Sequence, residues 1–551
     1  MSSISPERLV TRGLFPENLP PVFTMRNVWS ELAPRSTTYA LTSKAVGEVC
    51  PYDASKRGGQ RRLFGIPHPL FVRELGIFFE AHWNDIEKTF QSSPGSVSRP
   101  ILDDAGPRHV RITPHSDLPR IRLTTLSRFA YCLIADVSRF FPSIYSHTIP
   151  WALNGKAAAK LDPDWKSTAV WGNRLDFSVR QAQSRQTIGI PVGPDGSKIV
   201  AEIIMSSVDR EFVRLSGSQV ATYVRHVDDY WIGGHTIDEC ERHLRNLRSA
   251  LKEHSLDINE LKTKIISTKF VFGESWPYEI ERAISNSFHA SGAVDFADPP
   301  IEDPIATFGM IIERAVEAND DGIIRKAIRV LDRRRSWEGD WDVLEHFLAQ
   351  CAVQFPHSFD YVARVVAWRL RLSRPVNCDL WIDIARHAAL HNGSLGRDSE
   401  ACWAIWLLKE LGTKLLKPLT DVLTANASPL TLAFLAHFPR HKLATDKKLV
   451  SNLRARVFGD PFAGSFWPLS LELVHLGAGD ASWSAATTVS ALRTLHHAKT
   501  SIIEWNAAPR VFTETPAEDR GVSDEPYYAI ENVGSDYPQD EDVEEDEDSL
   551  P

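Results

Sequence analysis

Hydrophobic positions follow two different rhythms along this chain. Up to about residue 285, short apolar, β-prone runs alternate with polar turns; from about Ile301, apolar residues recur at helical spacing. Tyr131-Cys132-Leu133-Ile134-Ala135 reads as a buried strand that ends in one carboxylate, Asp136. Two further runs, through Val224 and through Tyr230-Trp231-Ile232, enclose Val227-Asp228-Asp229 and read as the arms of a tight turn. Residues 198–205 form an amphipathic helix that opens directly from the Gly/Pro-rich stretch 186–197.

In the second half the pattern predicts helices over 305–318, 323–335, 341–355, 359–372, 380–392, 400–411, 418–426, 429–438, 449–457, 468–476 and 483–499. Asp303, Asp340, Ser358, Asp379, Ser399, Ser428 and Ser482 are the expected N-caps, and Gly322, Gly393, Gly412 and Gly459 the expected breaks. Paired helices of this length suggest a helical repeat array, although no strict sequence period accompanies them. Trp368, Trp381, Trp403 and Trp406 fall within these segments and are expected in the core.

Composition adjusts this picture in four ways. A chain of 551 residues with 43% hydrophobic content can bury cores for two to four domains. It has neither an apolar N-terminal signal nor a run of about twenty apolar residues, so no membrane association and a cytoplasmic location are expected. The six cysteines are scattered without metal-type spacing and read as reduced, mostly buried thiols. Net charge is −9, which at first argues against nucleic acid. Residues 513–551, however, hold fifteen Asp/Glu against Arg520 alone; removing that −14 leaves +5 on the other 512 residues. A mildly basic body suits phosphate-rich partners, and the acidic tail cannot bury enough apolar area to fold.

The candidate chemistry lies in the first half. Adjacent strand residues point to opposite faces, so Asp228 and Asp229 are costly to bury unless a turn or a cation collects them. Asp-Asp at a turn is ordinary turn chemistry, and Asp136 could merely cap a helical turn. Together, strand ends bearing one and two aspartates could hold two divalent metals about 4 Å apart. The loop of residues 186–197 lets backbone approach a base pair or a phosphate, and the helix behind it favours anions.

The order and spacing of these segments resemble the palm of reverse transcriptases. Motif A corresponds to residues 136–144, motif B to 186–197, motif C to Val227-Asp228-Asp229, and a motif D to Leu256-Asp257-Ile258-Asn259 with Lys262. Gly189-Ile190-Pro191-Val192-Gly193-Pro194 with Ser197, Ala201-Glu202 and Asp209 is similar to the abortive-infection and defence-associated bacterial members. So is Lys56-Arg57-Gly58-Gly59-Gln60-Arg61-Arg62, less specifically. The resemblance covers roughly the first half of the chain.

It implies that Asp136, Asp228 and Asp229 hold Mg²⁺ or Mn²⁺, and that Lys262 is a general acid toward pyrophosphate. Phe141 would exclude a 2′-hydroxyl, unless it is an ordinary core aromatic. Gln186, Gly189, Pro191 and Gly193 would line the incoming base or template. Arg61 and Arg62 are candidates for gripping the triphosphate, or else belong to a solvated basic loop. His226, where many members carry an aromatic, either fills the strand or makes primer handling pH-sensitive.

The expected fold is α+β: a reverse-transcriptase fingers-palm core (20–285), an all-α helical repeat domain (300–508) and a disordered acidic tail (513–551). The expected function is an RNA-directed DNA polymerase, a nucleotidyltransferase acting in anti-phage defence. It would add deoxynucleotides with an RNA template or without one. Further implied partners are RNA or single-stranded DNA, a non-coding RNA, and copies of the chain in a homo-oligomer. Some members prime from a protein side chain, for which Tyr39, Tyr52, Tyr527 and Tyr528 are candidates. One rival is a nucleic-acid-binding scaffold whose helical array senses a phage component; another is an enzyme that uses ribonucleotides, which Phe141 disfavours.

Overall fold

The computed structural model describes residues 3–32, 43–217, 221–270, 276–287, 303–334, 336–338, 341–483 and 490–509. The acidic segment 513–551, Tyr39, Tyr527, Tyr528 and Asp340 lie outside them.

Strands β1 (Cys50–Ser55) and β2 (Arg61–Ile66) form an antiparallel hairpin with Cys50 opposite Ile66 and Ser55 opposite Arg61. Two short strands, β3 (Ile101–Leu102) and β4 (Val110–Arg111), pair next. The central sheet has four strands: β5 (Tyr131–Asp136), β6 (Tyr223–His226), β7 (Asp229–Gly234) and β8 (Lys264–Ser267). Their order is β6-β7-β5-β8 and every pairing is antiparallel.

Alternation along these strands separates two cores. Leu133, Ala135, Tyr223, Tyr230 and Ile232 join the main core, with Cys240 and Leu247 of the helix Ile237–Glu253. Cys132, Ile134, Val224 and Trp231 point the other way, onto Leu126 and Phe129. Asp136 and Asp229 continue this second face, because each lies two residues from a member of it. The period of two thus brings two carboxylates to one side of the sheet.

Two long helices back the sheet. Pro69–Gln91 starts at His68, whose ring accepts the Leu70 N–H, and Asp195–Ser216 runs from the Gly/Pro loop to Gly217. They pack on each other.

The second half is helical, as its periodicity predicts. Its helices include Pro304–Glu317, Gly322–Arg333, Trp341–Gln354, Phe359–Arg371, Cys378–Ser394, Asp398–Glu410, Lys417–Asn426, Pro429–Leu435, Leu449–Arg456, Trp467–His475 and Ser490–His497. Successive pairs pack together (Pro304–Glu317 on Gly322–Arg333, Trp341–Gln354 on Phe359–Arg371, Cys378–Ser394 on Asp398–Glu410), and Cys378–Ser394 also touches Lys417–Asn426, the next helix but one. Asp303 and Ser428 cap as expected. Asn377 rather than Asp379 caps Cys378–Ser394, and Ser399 lies inside a helix that already starts at Asp398. Trp381, Trp403 and Trp406 are fully buried, whereas Trp368 is half-buried against the core.

This half is joined to the first by polar contacts. Residues 22–24 pair with 502–504: the Thr24 N–H donates to the Ile502 carbonyl at 2.9 Å and the Glu504 N–H to that of Val22 at 2.7 Å. Buried Glu472 accepts the Ile502 N–H at 2.6 Å and the Ser501 hydroxyl at 2.8 Å, and its carboxylate lies 2.6 Å from His437 Nε2. Asp398 accepts the backbone N–H of Asp53 in β1 at 3.1 Å. All six cysteines are free, and five are buried. No described helix is long and apolar enough to cross a membrane.

Candidate active site

The register of β5 on β7 sets Asp136 directly opposite Asp229. Directly opposed like charges repel and call for a cation. Asp228 occupies the turn between β6 and β7, where its carbonyl accepts the Val137 N–H at 3.2 Å. Asp136 and Asp228 are buried. The only cation bonded to Asp136 among the described residues is Lys262, whose Nζ donates to Oδ2 at 3.2 Å; Asn259 Nδ2 donates to Oδ1 at 3.0 Å. The Asn259 N–H also binds the Asp136 carbonyl at 2.7 Å, which fixes the two segments to each other. Partial burial disfavours the Lys262 ammonium. The carboxylates of Asp136, Asp229 and Asp228 outweigh that and hold its pKa above that of an ordinary lysine.

Among the described residues, no group of three or more His, Cys, Asp or Glu side chains forms a ready-made metal cage. Mg²⁺ in nucleotide-handling sites needs none, since one or two carboxylates suffice when substrate phosphates and water complete its shell. Asp136, Asp228 and Asp229 fit that role, and Lys262 already stands on Asp136 as a cation.

The turn itself is strained. Val227 has φ = 56°, a conformation that a β-branched side chain adopts at a cost of about 1–3 kcal/mol. Its N–H donates to Ser98 Oγ and its carbonyl accepts from Arg225 Nη1 at 3.0 Å. Arg225 is fully buried and binds Asp209 Oδ2 at 2.7 Å and both Glu202 oxygens at 2.9 and 3.0 Å. Burial opposes the charge on Arg225, but Asp209 and Glu202 outweigh it; burial lifts the Asp209 carboxyl above its ordinary range.

His226 sits opposite Asp229 in β6, is 1% exposed, and its Nε2 lies 2.9 Å from the Thr113 carbonyl. Burial lowers its pKa to about 4. It therefore fills the strand as a neutral ring and cannot sense pH near neutrality, which removes the pH-sensitive alternative.

The Gly/Pro loop packs directly beside motif A. The Gly189 N–H donates to the Ile144 carbonyl at 2.7 Å and the Ile190 N–H to that of Phe141 at 3.0 Å. Gly189 has φ = +86°, and a Cβ there would sit 3.2 Å from the Pro142 carbonyl oxygen. The loop's far end is held by Arg108, which binds the Gly193 carbonyl at 3.0 Å and buried Asp195. Pro191 lies against Gly65 of β2. Gln186 is exposed, while Gln183 donates to the carbonyls of Gln186 and Gly189 at 3.0 and 2.7 Å. Phe141 is buried, with its ring edge-on to Phe140.

Arg61 and Arg62 have different surroundings from those the sequence suggested. Arg61 forks onto Glu400 of the helical half and also bonds Asp53 at 2.9 Å. Arg62 lines a small cleft with Lys56, Arg325, His357 and Trp403. Both Arg61 and Arg62 lie on β2 at intermediate exposure rather than on a solvated loop. Tyr52 is fully buried on β1, so its hydroxyl is not presented for priming. Arg108 had no signal in local pattern, because it acts through Gly193 and Asp195, which are distant in sequence.

Comparison with known proteins adds the family context. Residues 104–288 match the family model described as reverse transcriptase (RNA-dependent DNA polymerase), a span that includes Asp136, the Gly/Pro loop, Asp228, Asp229 and Lys262. No curated protein matches the chain. Two solved structures similar to it are apo telomerase from Candida tropicalis and a form of it truncated from its C-terminal domain. The first is 10% identical over 78% of this chain and 74% of that one, with a TM-score of 0.32. The second is 14% identical over 44% of this chain and 55% of that one, with a TM-score of 0.29, so this chain spans about half its length. Residues 104–288 are a reverse transcriptase domain, of the RNA-directed DNA polymerase class of nucleotidyltransferases.

Proposed function

We propose that this chain is a Mg²⁺- or Mn²⁺-dependent DNA polymerase that joins deoxynucleotides at the Asp136–Asp228–Asp229 site. The observation that carries the reading is the cross-strand pair Asp136 and Asp229, with Asp228 at the adjoining turn and the Lys262 ammonium on Asp136. Two carboxylates held face to face bind a cation more strongly than they tolerate each other. A bound divalent ion would supply charge stabilisation at the attacked α-phosphate and lower the pKa of the primer hydroxyl. Lys262, kept protonated by the aspartates, holds a proton within reach of a leaving pyrophosphate. The Gly189–Gly193 backbone, fixed by Gln183 and Arg108, presents a flat surface to a base or its template. Phe141, five residues after Asp136 and buried, would favour a sugar without a 2′-hydroxyl if it faces the nucleotide.

The form of the Gly189–Pro194 loop supports membership of the defence-associated group, and with it a role in halting phage growth. Synthesis with or without an RNA template, a partner RNA and homo-oligomers belong to the same reading. The decisive test incubates purified protein with each labelled nucleotide and Mg²⁺, with and without RNA, followed by nuclease digestion and sequencing of the product. DNA is expected from wild type and none from the double variant Asp228→Ala/Asp229→Ala. Equal incorporation by the two proteins would end the polymerase reading. Equal phage plating on cells expressing either protein would end the defence reading alone.

A further inference from the structure

The two faces of the central sheet are used differently. Asp136 and Asp229 lie on the face shared with Trp231, whereas Arg225, one residue from Val224 on β6, projects to the opposite face. There it meets Glu202 and Asp209, seven residues apart on the helix Asp195–Ser216 and therefore on one side of it. A fully buried guanidinium with this many charged partners needs a reason beyond stability, since apolar packing would serve the fold as well. Besides Ser93 Oγ at 3.5 Å, it has a further contact: Nη1 reaches past its own strand to the carbonyl of Val227, the residue with φ = 56° that precedes Asp228. Ser98 holds the N–H of the same residue.

Resting on the polymerase reading of the aspartates, we propose that Arg225 is a positioning residue that clamps the Val227–Asp228 turn from behind the sheet. It holds a left-handed valine that would otherwise relax and carry both aspartates away from Asp136. Because Glu202 and Asp209 belong to the helix behind the Gly/Pro loop, the clamp ties the base-facing loop and the metal-facing turn to one rigid helix.

The test is a strain-relief cycle in the full chain. Arg225→Lys keeps the charge but lacks the fork. It should lower kcat for deoxynucleotide incorporation by ~10²-fold while KM stays within about threefold, as expected for a misplaced reacting group. Adding Val227→Gly removes the left-handed penalty and should restore activity by about tenfold. A structural role in burying Glu202 and Asp209 would not respond to glycine at 227. If Arg225→Lys does not fold, Ser98→Ala with and without Val227→Gly makes the same comparison from the N–H side.

A second readout is Mn²⁺ binding by electron paramagnetic resonance, counted as the increment lost in Asp228→Ala, because the acidic tail also attracts Mn²⁺. That increment should weaken in Arg225→Lys and recover in Arg225→Lys/Val227→Gly. No recovery of either readout with glycine overturns the clamp. Mn²⁺ binding that falls in Asp228→Ala but not in Arg225→Lys overturns the clamp alone. Mn²⁺ binding unchanged in Asp228→Ala overturns the metal reading, and the clamp with it.

Discussion

Both halves of the molecule bury carboxylates, but they use them for opposite purposes. Behind the central sheet, Glu202 and Asp209 close on Arg225, which also bonds the Val227 carbonyl two residues on. In the helical half, Asp398 and Glu400 reach outward to β1 and β2, far away in sequence, and Glu472 anchors the segment 501–502 that pairs with residues 22–24. The first arrangement fixes local geometry to the precision that chemistry needs. The second fastens one large body to another. Substitutions should separate the two uses, since damage to the first is expected in rate and damage to the second in stability.

The largest effect is expected at the site itself. Asp136→Ala should reduce incorporation by ~10³-fold, as loss of an oxygen ligand to a charge-stabilising cation predicts, with an unchanged melting profile. A large loss of stability without loss of rate would erase the distinction. Next comes Glu472→Ala, which removes the acceptor for the Ile502 N–H, Ser501 and His437 in a fully buried setting. About 3 kcal/mol of stability should go, visible in thermal melting, while incorporation per folded molecule stays within about twofold.

His226 extends the comparison to pH. Its folded pKa of about 4 lies below the ordinary 6.5, so the unfolded chain binds more protons between those values. Its contribution to stability is complete above pH 6.5 and is lost as pH falls toward 4, by up to roughly 3 kcal/mol. Melting in this window should be less acid-sensitive in His226→Phe than in wild type. The rate of the folded wild type between pH 6.5 and 8 should show no step that His226→Phe abolishes.

The smallest effect is expected across the junction. Arg61 is about a quarter exposed, so Glu400→Gln should cost only about 1 kcal/mol. Arg61→Ala should behave likewise, with the deoxynucleotide KM within about threefold of wild type. A tenfold higher KM in Arg61→Ala alone would return that residue to the triphosphate role its sequence context suggested.

Strand content, the hairpin and the helical second half were legible because each rests on short-range periodicity. The shared face of Asp136 and Asp229 needed the strand register, which pairs β5 with β7 across about ninety residues. Arg61 was misleading for a physical reason. A guanidinium on a hairpin looks the same in sequence whether its partner is a phosphate or a carboxylate 339 residues away. The same holds for Arg108, whose partners Gly193 and Asp195 lie 85 and 87 residues away. Asp379 and Ser399 were plausible caps, displaced because both helices start two residues earlier than their apolar pattern does.

The pairing of residues 22–24 with 502–504 also sets a timetable. The two partners are about 480 residues apart, so at ribosomal speeds of 5–20 residues per second they meet roughly half a minute to a minute and a half apart. Until then the N-terminal strip has no strand to complete it, and the hairpin of β1 and β2 lacks Asp398 and Glu400. A nascent chain therefore carries its finished turn of aspartates well before the body around it has closed.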